Sequence, residues 1–194
     1  IAVGGEILCT CDTMARFYRS RGYRPAWSDA EAPSPLADEF VAELRQADTH
    51  GLKPGNYHLE RIEAMLAEAR TGEPRPNAMA ELDLLLTDAW FLYASHLLAG
   101  HVNPVTLGAE WHIRRPEADL AKLLRSALEA GDIAASLASL LPDGPGYGML
   151  RQALGRYRDL AAQGGWPAIP DGPTLKAGDS DPRVATLRAR LMVT

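Results

Sequence analysis

The chain carries five histidines and two cysteines, and their spacing limits the chemistry open to them. Cys9 and Cys11 form a Cys-x-Cys pair. Such a pair makes a poor disulfide and supplies half a metal site at best. No histidine lies near it in sequence, so an incidental pair is expected rather than a redox or metal site. No Gly-x-Ser-x-Gly elbow occurs, so linear signals for serine or cysteine catalysis are weak. His96 and His101 are five apart with Gly100 between them, whereas the zinc pattern His-Glu-x-x-His needs a spacing of four on one helix. His112 follows Glu110-Trp111, so three histidines could converge in space. The alternative is a set of hydrogen-bonded histidines at helix ends. His50 and His58 bracket a turn, and His50 is expected at the negative end of a helix.

Paired carboxylates could support glycoside hydrolysis, which needs one acid with a raised pKa and one ionised partner. Glu110 is the candidate acid, because Trp111 beside it could stack on a sugar. With 25 acidic residues in the chain, such neighbours also arise by chance. Asp171, Asp179 and Asp181 flank glycine and proline but lack the glycine and terminal glutamate of a calcium loop, so caps and turns are expected there. Arginine outnumbers lysine 17 to 3. Arg151, Arg156 and Arg158 share one predicted helix with Tyr147 and Tyr157, a face that could hold partner carboxylates or stand solvated.

The elements that must position these groups read as helices. The chain has 194 residues, enough to bury roughly 70% of its unfolded surface without disulfide or metal. Alanine and leucine supply 58 residues, against 12 for isoleucine and valine, a balance that favours helix over sheet. A net charge of −5 argues against a nucleic-acid binder that works by bulk charge. The longest apolar stretch, Leu84 to Leu98, is interrupted by Thr87, Asp88, Ser95 and His96 and is shorter than the about 20 residues of a membrane span. No transmembrane segment, cofactor or metal is therefore expected.

Punctuation predicts seven helices before residue 165. The first spans Thr13–Ser20 and ends at Gly22; Tyr23 to Trp27 is expected to be extended, because Pro25 disfavours helix before it. Ser34-Pro35 starts the second, which Gly51 stops. The third carries Leu59, Ile62, Leu66 and Ala69. The fourth, capped by Asn77 and running to Ala99, is apolar nearly all round, the mark of a central helix wrapped by others. The fifth carries Leu120 to Leu128, the sixth starts after Asp132, and the seventh carries Tyr147 to Ala161. The expected fold is thus an all-α, irregular multi-helix domain around one central apolar helix. A Pro/Gly-rich linker from Trp166 to Pro173 and a short last helix after Asp181-Pro182 follow. Three regions are expected: a frayed lead-in over 1–12, the helical domain over 13–165, and linker plus the start of another module over 166–194. Both ends read as cuts within a longer protein.

The order of segments then becomes informative. Phe17-Tyr18 and Gly22-Tyr23-Arg-Pro-Ala-Trp27 come first, then His50-Gly-Leu-Lys-Pro-Gly-Asn-Tyr-His58. Leu82-Asp-Leu-Leu-Leu-Thr-Asp88 follows, running through Tyr93 to Gly100-His-Val-Asn-Pro104. Pro145-Gly-Tyr147, Leu150-Arg151, Tyr157, Gly165-Trp-Pro167 and Leu175-Lys-Ala-Gly-Asp-Ser-Asp-Pro-Arg-Val184 come last. Together these resemble the helical scaffold domain of the YcbB-type murein L,D-transpeptidases, from about Phe17 to the end. His101 departs from the pattern, which has a stronger base before Val-Asn-Pro.

The resemblance implies a parent enzyme that forms 3→3 peptidoglycan cross-links in the periplasm through a cysteine thioester. It also implies partners: a peptidoglycan-binding-like module and a YkuD-type catalytic domain downstream in the same polypeptide, and peptidoglycan itself. The family's Ser-His-Gly-Cys-type run is absent here, so no catalytic residue carries over. Contacts with murein or with the neighbouring domains are expected at Trp111, Tyr147, Arg151, Trp166 and Arg183. The competing expectations are a stand-alone helical peptidoglycan glycosidase with Glu110 as acid, and a peptidoglycan-binding module.

Overall fold

The computed structural model describes residues 2–3, 5–29, 32–72, 76–107 and 114–192. The backbone begins with a two-stranded antiparallel hairpin, β1 (Ala2–Val3) against β2 (Glu6–Ile7), in register Ala2 to Ile7 and Val3 to Glu6. Gly5 stands at φ +91° in its turn, a conformation that costs glycine nothing and other residues strain. Helices α1 (Cys11–Ser20), α2 (Pro35–Arg45), α3 (Leu59–Thr71), α4 (Pro76–Ala99), α5 (Leu120–Ala130) and α6 (Ile133–Ala138) follow. Two compact units divide the chain, residues 1–143 and residues 144–194. The second holds α7 (Pro145–Ala162) and α8 (Arg183–Met192).

In the first unit α4 is the central helix. Its Leu82, Leu85, Leu86, Ala89, Trp90, Phe91, Tyr93, Ala94 and Leu97 are all buried, and α1, α2, α3 and α5 pack around it. A helix apolar on every side can bury itself only when neighbours cover every side. Phe17, Phe40, Leu44, Ile62, Leu124 and Ile133 fill the space between those neighbours and are completely buried. Phe17 meets Phe91 edge-on at 5.6 Å, and Trp27 stacks on Phe40 at 5.4 Å, geometries that aromatic quadrupoles favour.

The caps follow the sequence closely. Ser34 Oγ accepts from Leu36 N at 3.2 Å, and Asp132 Oδ1 from Ala135 N at 2.8 Å. Each supplies an acceptor for an amide that the first turn leaves unpaired. Asp119 caps α5 in the same way, through Lys122 N. Gly131 then stops α5 in the left-handed conformation, at φ +73°. Glu39 of α2 reaches the start of α6 and accepts from Ala134 N at 2.8 Å.

Four expectations change. The second helix ends at Arg45, and the residues up to Gly51 form a separate 3₁₀ turn, Ala47–His50. There the bonds tighten to a three-residue span, Gln46 N to Glu43 O at 3.0 Å. The fourth helix starts at Pro76, one residue before Asn77. Tyr23 is left-handed at φ +58° rather than extended, because it continues the turn that Gly22 opens at φ +62°. The lead-in expected to fray is held down: Leu8 is buried, and the backbone of Cys9 and Thr10 is bonded to Asp88 of α4.

The second unit is built differently. Neither α7 nor α8 contains a buried residue. Between them the chain lacks regular secondary structure, and two arginines brace it. The Arg183 guanidinium bonds to Pro173 O at 2.8 Å, and Arg190 Nη1 bonds to Pro167 O at 3.0 Å.

Candidate functional site

Three polar side chains interrupt the buried surface of α4, and all three are occupied. Asp83 is 5% exposed. Its Oδ1 accepts from Ala26 N at 2.8 Å and Trp27 N at 2.7 Å, and its Oδ2 accepts from the Tyr18 hydroxyl. Thr87, one turn on, donates to Asp83 O, lies 2.7 Å from the Tyr18 hydroxyl, and accepts from Trp27 Nε1 at 2.9 Å. Burial raises the Asp83 carboxyl above its usual range, against the hydrogen bonds from Tyr18, Trp27 and Ala26. Burial and the Asp83 charge push the Tyr18 hydroxyl well above its usual value. The cluster is a satisfied buried network, and such networks fix one packing arrangement.

Asp88 organises a second cluster. Oδ1 accepts from Cys9 N at 2.9 Å, Thr10 N at 2.7 Å and Thr10 Oγ1 at 2.7 Å. Oδ2 lies 3.2 Å from His58 Nε2, and His58 Nδ1 lies 3.0 Å from Glu6 Oε2. Thr10 is the residue before α1 and makes no cap of its own; its hydroxyl serves Asp88 instead. The carboxylate thus stands at the positive end of the α1 dipole, where it is favoured. Burial pushes Asp88 up, but the hydrogen bonds from His58, Thr10 and Cys9 outweigh it and hold the carboxyl below its ordinary value. The bond to Asp88 raises His58, and Glu6 adds to the effect. His58 sits at φ +56°, an uncommon conformation for a residue with a Cβ.

A groove of about 390 Å³ lies beside the first cluster. Leu8, Met14, Ala15, Pro25 and Leu84 give it apolar walls, with Asp83 and Tyr18 among its lining. Tyr23 lines it as well and is 72% exposed.

The histidines at the end of α4 meet in part. His96 Nδ1 lies 3.0 Å from the Tyr57 hydroxyl, and the His96 and His101 rings are 4.6 Å apart. Burial lowers His96 to about 4, helped by His101 and Arg115, so it is neutral at physiological pH. Arg115 instead caps the helix, bonding to Ala99 O at 2.7 Å and Gly100 O at 2.9 Å. His112 and Glu110 lie outside the described residues. Among the described residues no three His, Cys, Asp or Glu side chains converge as a metal site. Cys9 is exposed and Cys11 half-buried, both as free thiols. Burial and the Asp88 charge raise the Cys9 thiol, the opposite of what an activated nucleophile needs. Asp179 accepts from Lys176 N and Asp181 from Arg183 N, which makes both turn and cap residues.

Of the five contact residues expected from sequence, Trp111 lies outside the described residues and the other four fall in the second unit. Tyr147 and Arg151, one turn apart on α7, are half-buried, and the Arg151 charge opposes the upward push of burial on the Tyr147 hydroxyl. The Trp166 ring stands 5.7 Å from the Tyr157 ring, and both side chains are exposed. Arg183 is half-buried in local work: it pairs with Asp181 at 3.0 Å and lies over Gly172, where a Cβ would come within 2.5 Å of its guanidinium. The sequence signal for the Asp83 and Asp88 clusters is the polar residues at positions 83, 87 and 88 in the middle of a mainly apolar helix.

The arrangement described is that of a helical unit held by internal polar ties. Residues 12–154 match the family described as Scaffold domain. The chain belongs to the Scaffold domain family. The match begins in α1 and ends within α7, so it takes in the Asp83 cluster, Asp88 and His58 but not their partners Glu6, Cys9 and Thr10, and it reaches the start of the second unit. Comparison with curated proteins and with solved structures gave no match. Membership of the Scaffold domain family supports a non-catalytic, positioning role, and the ties from α4 to residues 9–10 and 26–27 are what such a role asks of a chain.

Proposed function

We propose that this chain is the non-catalytic scaffold part of a periplasmic L,D-transpeptidase, an enzyme that forms 3→3 cross-links in peptidoglycan. The match of residues 12–154 to the Scaffold domain family carries this reading. Its role is to hold a catalytic domain of the same polypeptide, and a peptidoglycan-binding-like module, in the geometry a bulky polymer needs. That is a contribution through orientation rather than chemistry.

Murein contact is assigned to the second unit, at Tyr147, Arg151 and Trp166. The exposed Trp166 ring can stack on a sugar face, the half-buried Tyr147 lies one turn from Arg151 on α7, and arginine forks match the carboxylates of stem peptides. Arg183 serves this face indirectly, by holding the start of α8 to Pro173.

Two measurements test the proposal. The gene downstream of Thr194 is expected to encode a Cys/His transpeptidase signature, and an open reading frame without one would overturn the assignment. The isolated chain, titrated with soluble muropeptides, is expected to show NMR shifts clustered on Tyr147, Arg151 and Trp166. It is also expected to form no acyl adduct with a carbapenem. Labelling of Cys9 or Cys11 by the drug, or shifts confined to the first unit, would contradict it.

A further inference from the structure

The imidazole of His58 has a carboxylate on each ring nitrogen: Asp88 Oδ2 at 3.2 Å from Nε2 and Glu6 Oε2 at 3.0 Å from Nδ1. A carboxylate only accepts. Both contacts are therefore hydrogen bonds only when both nitrogens carry protons, that is, when the ring is the imidazolium. In the neutral ring one nitrogen presents a lone pair to a carboxylate, and that contact becomes repulsive.

The two carboxylates are not equivalent. The Asp88 side chain is 0% exposed, and its other oxygen is held by Cys9 N, Thr10 N and Thr10 Oγ1. It cannot turn away or find water. The Glu6 side chain is 42% exposed and can do both. On losing a proton, the His58 ring keeps its N–H on Asp88 and gives up Glu6.

Glu6 lies in β2, and the hairpin has just two strands of two residues each, too few to be stable alone; beside the Glu6 contact its hold on the core is the half-buried Val3 of β1. We propose that His58 is a proton-controlled latch: protonated, it fastens the N-terminal hairpin through Glu6 to the core helix α4; neutral, it lets the hairpin go. Release stops at residue 8, because Asp88 still holds the backbone of Cys9 and Thr10. Leu8, buried in the core and part of the lining of the 390 Å³ groove, stays in place on release, so the groove keeps that wall. The charged groups facing His58 are Glu6 from the hairpin and Asp88 from α4; the Cys9 thiol lies beside Asp88. The raised affinity of His58 for its proton agrees with this arrangement and places release above the ordinary histidine range of about 6.5.

The test is an NMR titration of the whole chain. Ring ¹⁵N signals follow His58, and backbone order parameters follow the amides of Val3, Glu6 and Ile7. Below the His58 midpoint both ring nitrogens are expected to be protonated, with hairpin order parameters near about 0.85. Above it the order parameters are expected to fall below about 0.6, with the same midpoint. Glu6→Ala, at a half-exposed position, is expected to leave the far-UV circular dichroism unchanged. It removes the acceptor on Nδ1, so it should lower the His58 midpoint and loosen the hairpin at every pH. A hairpin that stays rigid through the His58 titration would overturn the proposal. So would a Glu6→Ala variant that folds with an unshifted His58 midpoint and an ordered hairpin.

Discussion

Asp83 and Asp88, five residues apart on α4, bind the two ends of one helix. Asp88 takes the amides of Cys9 and Thr10, immediately before α1, and Asp83 takes those of Ala26 and Trp27, in the turn after it. Helix α1 is thereby bracketed against α4 at its entry and beyond its exit. Apolar packing sets how close two helices lie but tolerates sliding. Four hydrogen bonds at two fixed points do not, because moving either end strands a buried carboxylate. Such pins fix the register of α1 on α4 in a way that additional apolar area would not.

Removing the Asp83 carboxylate is expected to be costly. Asp83→Ala leaves the amides of Ala26 and Trp27 and the Tyr18 hydroxyl without their acceptor, and should cost about 3–5 kcal/mol. Asp83→Asn keeps one oxygen for the two amides and removes a charge that burial disfavours, so about 1–2 kcal/mol is expected. Urea unfolding of both variants checks the order. Equal losses would mean that the charge, and not the acceptor, does the holding.

Asp88 sets the acid limb of stability. Its carboxyl is held below the ordinary value of 3.8 by its hydrogen bonds. The folded state therefore binds the proton less readily than the unfolded chain. The contribution is present in full above that ordinary value and is lost as pH falls through the lowered one. Thermal melts between pH 5 and pH 2 are expected to show falling stability in the native chain, with a shallower slope in Asp88→Asn (roughly one carboxylate's worth). A variant as acid-sensitive as the native chain would place the limb on other carboxylates.

Much of this fold is legible in the sequence, and the reasons are local. Gly100 and Gly131 break the helical pattern where helices do end, whereas α6 stops at Ala138, short of the Pro142-Asp-Gly-Pro145 run, whose Pro145 opens α7. Ser34 and Asp132 cap helices as their positions suggest, and the all-round apolar character of residues 82–98 marks the central helix. The pins were illegible because they are long-range. Nothing near Cys9 in sequence announces that its amide meets Asp88, 79 residues away. A threonine or aspartate inside an apolar helix reads equally as an interruption or as an anchor until its partner is placed. His58 shows the same limit. Read along the chain it brackets a turn, and in space it lies between two carboxylates from elements 52 and 30 residues distant.

The apolar residues of the two units should respond differently to truncation. Leu124 of α5 is completely buried, and Leu150 of α7 is 71% exposed. Leu124→Ala is expected to cost about 2–5 kcal/mol through lost burial and the cavity left behind. Leu150→Ala should cost less than about 0.5 kcal/mol, since surface substitutions rarely exceed that. Denaturant midpoints of the two variants check the contrast. A large loss at Leu150 would show that its side chain is covered in solution, by a second copy or by another part of the chain.

Two glycines separate backbone strain from helix propensity. Gly131 ends α5 at φ +73° with no atom within 4 Å of where a Cβ would stand. Any cost of Gly131→Ala therefore comes from the left-handed backbone alone, about 1–2 kcal/mol. Asparagine enters that region more readily, so Gly131→Asn should lose less than Gly131→Ala. Gly155 lies inside α7 with equally open space around it and no positive φ. Gly155→Ala should stabilise that helix by about 0.5–1 kcal/mol, because alanine gives up less backbone freedom there. Thermal melts and helix content by circular dichroism read both signs. Destabilisation by Gly155→Ala would mean that a partner surface approaches α7 at that point too closely for a methyl group.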